Sequence, residues 1–115
     1  MTVCIVIEHV RSEELDKVID VFISQPMSGK SRFEIWEERQ RIIDVVKDKH
    51  PNACIVDSIL PELKDVPTLY YLAKSLSMMS YCELVFFAKG WENERGCIIE
   101  HMCAVHYGYR IDYEI

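Results

Sequence analysis

The chain has 115 residues, half of them hydrophobic, and a net charge of −6 at neutral pH. That length holds one domain around one core. The acidic balance argues against general affinity for nucleic acid or an anionic membrane, and no apolar run approaches the roughly 20 residues of a membrane span.

Thr2 to Ile7 is a short apolar run with no basic region before it. It reads as an extra edge strand or an oligomer contact rather than a signal peptide. Arg11 to Lys17 reads as a linker or short helix, so residues 1–17 form an N-terminal extension and 18–115 the domain. Val18 to Ile23, interrupted by Asp20 and stopped by Ser24-Gln25-Pro26, predicts a buried strand. Ser31-x-x-Glu34 has the form of a capping box and opens a helix to about Lys49, with Ile35, Ile42, Ile43 and Val46 inward. His50-Pro51-Asn52 stops it. Ala53 to Asp57 predicts the next strand. Thr68 to Ser80 predicts a helix with Leu69, Leu72, Ala73, Leu76 and Met79 inward. The continuous apolar run Leu84 to Ala88 predicts a central strand. A loop from Lys89 to Arg95 leads into a helix from Gly96 to a left-handed cap at Gly108, and Arg110 to Ile115 predicts a last strand.

Strands alternating with helices predict an α/β fold, a small parallel sheet covered by helices on both faces. Such sheets bind ligands beyond the carboxyl ends of their strands, where the strand order reverses. The loops Ser24 to Ser31 and Lys89 to Gly96 therefore belong on one edge, facing each other. The five cysteines lie in or beside apolar runs with no Cys-x-x-Cys pair, and read as free thiols of a reducing compartment. The four histidines lack a metal-ligand spacing. The expectation is a cytoplasmic protein with no metal and no cofactor.

Glu100 is the most informative residue. It lies among Ile98, Ile99, Met102 and Cys103, where a carboxylate is expensive to bury unless something pairs with it or uses it. It falls about one turn into its helix, where the dipole favours the ionised form a nucleophile needs. A core glutamate paired with Arg95 or Arg110 is the plainer alternative. The first loop resembles a phosphate-binding Walker element at Gly29-Lys30-Ser31, but Ser24 replaces the first glycine and Pro26 lies inside it. Ser28, Gly29, Lys30 and Ser31 precede a helix and are candidates to bind an anion, against an ordinary strand-to-helix turn. In the second loop Trp91 offers a surface for a base, and Glu92, Asn93, Glu94 and Arg95 offer polar recognition or an acid. There the alternatives are a solvated charged loop and Trp91 folded back over the core.

Gly96, Glu100, Ala104 and Gly108 resemble the spacing of a glycine, a nucleophilic glutamate, an alanine and a glycine in nucleoside 2-deoxyribosyltransferases. The segments Phe22 to Met27, Tyr71 to Leu76 and Phe87 to Asn93 resemble an uncharacterised bacterial and phage family within that superfamily. The resemblance covers roughly Val18 to Ile115. It implies a three-layer flavodoxin-like sandwich with strand order 2-1-3-4. It implies homo-oligomers, no cofactor, and a nucleoside or nucleotide as ligand. By the same resemblance Glu100 is the nucleophile that forms a covalent sugar intermediate, and Glu94 helps bind or protonate the departing base. Ser24, Gln25, Pro26, Met27, Ser28, Gly29, Lys30, Ser31, Trp91, Asn93 and Gly96 are the expected substrate contacts. The Lys30 loop is similar to one that holds a 5′-phosphate in related deoxynucleotide N-hydrolases.

Phe22 stands where the enzymes carry a tyrosine that orients the nucleophile, and Ser75, beside Lys74, where they carry an aspartate. A replacement donor is therefore expected within hydrogen-bond reach of Glu100, with Ser24 and Gln25 favoured over Tyr71 and Tyr107. Three function classes fit: an N-glycosidic-bond enzyme, a catalytically inactive nucleotide-binding module that senses or sequesters its ligand, and a structural or interaction protein.

Overall fold

The computed structural model describes residues 18–115. The expected N-terminal extension, with its edge strand, lies outside the described residues.

Four strands, β1 (Ile19–Ser24), β2 (Ala53–Ile55), β3 (Leu84–Phe87) and β4 (Arg110–Tyr113), form one sheet in the order β2-β1-β3-β4. Every pairing is parallel. Three helices connect them: α1 (Arg32–Lys49), α2 (Thr68–Ser80) and α3 (Arg95–His106). A short 3-10 turn, Trp91–Asn93, interrupts the expected loop before α3.

Alternation along the strands sorts the core onto two faces. Val21 and Ile23 of β1 and Leu84 and Phe86 of β3 pack with Ile42 and Val46 of α1. Phe22, Val85 and Phe87 face the other way, against Met79 of α2 and Ala104 of α3. This is the three-layer α/β sandwich and the strand order expected. β3 is buried along its whole length, because both its faces are covered.

Local signals set the helix ends. Ser31 and Glu34 complete a reciprocal capping box at the start of α1. Gly108 has φ +74, the left-handed geometry that stops the chain after α3. β2 ends two residues before the expected Asp57. Val56 N–H still bonds to the Val21 carbonyl, but the chain then leaves the sheet and Ser58 turns to Arg39. The expected inner face of α2 is narrower than its apolar residues. Met79 is buried, whereas Leu69 is 69% exposed and Ala73 is also exposed. Leu69 sits on the rim of a cavity, which removes the partner its apolar side chain would otherwise meet.

Cys82, Cys97 and Cys103 are free thiols. Cys54 is disulfide-bonded, which corrects the expectation of free thiols at that position. Burial in an apolar run, on which that expectation rested, does not distinguish a thiol from a cystine.

Candidate functional site

β1 and β3 are neighbours at the centre of the sheet, and the chain leaves them in opposite directions, to β2 through α1 and to β4 through α3. This is the switch point where such folds open a crevice. The two loops expected to face each other do meet there. Ser28 donates from both its backbone N–H (3.1 Å) and its hydroxyl to Glu94 Oε2. A Cβ added at Gly90 would lie 3.5 Å from Pro26 Cγ, an ordinary contact.

A cavity of about 730 Å³ opens beside this junction, lined by Phe22, Ser28, Ser75, Glu94, Cys97 and Glu100 among others. Glu100 is only 7% exposed. The Ser24 hydroxyl donates a 2.6 Å hydrogen bond to its Oε1. Phe22 and Ser24 are two apart on β1 and share a face. The hydroxyl thus arrives from one strand repeat beyond Phe22. Ser75 also lines the cavity, while Lys74 lies over the Tyr70 ring, 5.5 Å from its centroid.

Burial pushes the Glu100 carboxyl up from its ordinary 4.5 to about 7, against the Ser24 hydrogen bond and the Arg39 charge, which both lower it. This reverses the expectation that the helix terminus keeps Glu100 firmly ionised. Desolvation outweighs the oriented dipoles because little water reaches the group. Burial likewise pushes the Cys97 thiol up to about 12, so at neutral pH it is a protonated neighbour rather than a rival nucleophile.

Arg39 was missed. It is 4% exposed, reaching from α1 over the sheet edge. Its Nε donates to Gln25 Oε1 at 2.9 Å and its Nη2 to Ser58 Oγ at 3.2 Å. Gln25 Nε2 in turn donates to the Ile35 carbonyl at 2.9 Å. The signal was present in the helix period: positions 35, 39, 42 and 46 lie on one face, three of them apolar. Arg39 also lines a second cavity, of about 670 Å³, which shares Met27, Ser58, Tyr71 and Ser75 with the first.

The remaining expected contacts divide. Gln25, Met27, Ser28, Glu94 and Gly96 line the Glu100 cavity. A Cβ at Gly96 would meet nothing within 4 Å, so this glycine leaves open space. Gly29, at φ +76, makes the turn before α1. The amides there are largely committed: Ser28 N–H to Glu94, Lys30 N–H to the Met27 carbonyl, Ser31 N–H to Glu34. Ser31 Oγ caps α1, and Lys30 Nζ pairs with Glu38 at 2.7 Å. The loop is therefore engaged with protein rather than arranged as an open anion cradle.

Trp91 and Asn93 do not line the cavity. Asn93 N–H closes the 3-10 turn onto the Gly90 carbonyl. Trp91 stacks on His101 (ring centroids 4.1 Å apart) and Tyr113 (5.9 Å), over Phe87. It covers the core, the alternative weighed for it. His101 Nε2 lies 2.7 Å from the Tyr113 hydroxyl.

Among the described residues, no group of three His, Cys, Asp or Glu side chains is placed to hold a metal ion, and no helix is long and apolar enough to cross a membrane. No family model matches the chain, and no curated protein matches it.

Proposed function

We propose that the protein acts on the N-glycosidic bond of a nucleoside or nucleotide, by transfer or hydrolysis, with Glu100 as nucleophile. The observation that carries this reading is the Ser24 hydroxyl bonded at 2.6 Å to a carboxylate that lines a cavity at the switch point of the sheet. A buried carboxylate with a single aligned donor is positioned as a reactive group requires.

In the proposed reaction an oxygen of ionised Glu100 bonds to the anomeric carbon of the sugar. The carbon–nitrogen bond breaks, its electron pair leaves with the base, and the base nitrogen takes a proton from solvent. Water, or a second base, then attacks the same carbon, the bond from that carbon to Glu100 breaks with its electron pair returning to the carboxylate, and the attacking water or base gives up a proton to solvent. Glu94, bonded to Ser28 through Oε2, keeps Oε1 without a hydrogen bond among the described residues and so available to the base. Because only ionised Glu100 attacks, the rate rises with pH through about 7.

The test is base release, followed by chromatography, from a panel of 2′-deoxynucleosides and their 5′-monophosphates. Glu100→Gln removes the attacking oxygen and should abolish release from the best substrate. Equal activity of the variant rejects the role. Ligand binding without turnover by the unmodified protein would leave the inactive binding module instead.

A further inference from the structure

Arg39 presents a physical problem. A guanidinium taken out of water is expensive unless an anion or a full set of acceptors compensates it. Its two hydrogen-bond partners are neutral, Gln25 and Ser58. Among the described residues no carboxylate lies within 4.0 Å of it. Gln25 and Ser58 join the ends of two neighbouring strands to α1, and Gln25 adjoins Ser24, the donor to Glu100.

We propose that Arg39 is a positioning residue for Glu100: it fastens the β1 loop that carries Ser24, and it supplies a buried positive charge that favours the ionised form of Glu100. The proposal rests on reading Glu100 as the reactive group; its test does not need turnover.

The surroundings of Glu100 leave this role to Arg39. From β1 comes the neutral Ser24 hydroxyl. From the start of α3 come Glu94 and Cys97, which supply no positive charge, and Arg95, which is solvent-exposed. From α2 comes Tyr71, whose hydroxyl is bonded to Leu63 N–H and carbonyl. His101, next along α3, is turned to Trp91 and Tyr113. Asp57, beyond β2, is exposed and shares Arg39 with Glu100 as a source of favourable field. Arg39 remains cationic at neutral pH, since burial lowers it only to about 10. It is the charge that acts on Glu100 against burial.

The experiment is a carboxyl carbon NMR titration of the full chain, with the Glu100 signal assigned by its loss in Glu100→Gln. Arg39→Gln keeps hydrogen-bonding capacity and removes the charge. It should raise the Glu100 midpoint by about one pH unit or more, a tenfold fall in its ionisation constant. Arg39→Lys keeps the charge and should hold the midpoint within about half a unit of the parent. A folded Arg39→Gln protein with an unmoved midpoint overturns the proposal, because a purely structural arginine does not change the titration of a carboxylate. So does an Arg39→Lys midpoint that rises by a full unit. If Arg39→Gln fails to fold, Arg39→Met, which keeps the apolar stem without the charge, is titrated in its place, and an unmoved Glu100 midpoint in that folded protein overturns the proposal in the same way.

Discussion

Glu100→Gln should stabilise the protein at alkaline pH and not at acid pH. The carboxyl is pushed from its ordinary 4.5 to about 7, mainly by burial. A group held above its unfolded value favours the folded state below that unfolded value, where both states are protonated. As pH rises, the unfolded chain loses its proton first, and the advantage is gone once pH has passed the folded value. The interval from 4.5 to about 7 corresponds to about 3 kcal/mol at 1.36 kcal/mol per tenfold change. Glutamine has the same shape, can accept from Ser24, and does not titrate. Urea unfolding of both proteins from about pH 4 to about pH 8 should show the parent losing about 3 kcal/mol relative to the variant across that window. Taking the difference cancels Asp112 and Glu114, whose lowered values act in the opposite direction in both proteins. A difference that stays flat with pH refutes the burial argument, because it would mean Glu100 titrates alike folded and unfolded.

Ser24→Ala removes a hydrogen bond to a buried charge, worth about 1.5–3 kcal/mol on the ionised form, so the Glu100 midpoint in a carboxyl NMR titration should rise by roughly one to two pH units. Lys30→Ala breaks a half-exposed pair with Glu38 and should change stability by less than about 1 kcal/mol. Calorimetry should find nucleotide and nucleoside binding altered alike; a loss confined to nucleotides would assign this loop the phosphate role. Light scattering at micromolar concentration should return a dimer mass or larger, since Ile98, Met102 and Val105 leave an exposed apolar stripe on α3; a monomer mass ends that expectation.

The fold was legible because its strongest signals are local. Leu84 to Phe87 is an unbroken apolar run, Ser31 and Glu34 mark one helix start, and Gly108 marks one helix end. The Ser24 donor was legible too, since it lies at the carboxyl end of its strand, beside the expected crevice. What failed was the sorting of polar and aromatic residues by type alone. Arg39 occupies an inward position of α1, but a charged residue is rarely so buried, and the neutral partners that admit it come from two distant segments. Trp91 offered a flat surface, but His101 and Tyr113, which use that surface, lie ten and more residues away and are brought to it by α3 and β4.

Glu100 shows why residue type and helix position do not settle a carboxylate's state. Three influences compete at one oxygen pair. Burial raises its value, Ser24 and Arg39 lower it, and burial wins by enough to leave the group near half ionised at neutral pH. A value near the working pH suits a reactive group: enough of it is ionised to attack, and its basicity is not spent. The same balance makes the site sensitive to its ligand. A neutral ligand that displaces water buries the carboxyl more deeply and raises Glu100 further. An added negative charge in the cavity acts in the same direction, by repulsion. Only the protein's own donors oppose both, and these are one hydroxyl on β1 and one guanidinium on α1. The cavity therefore depends on the opposite face of the sheet for the charge that keeps its carboxylate usable, and Gln25, bonded to Arg39 and adjoining Ser24, is the link between them.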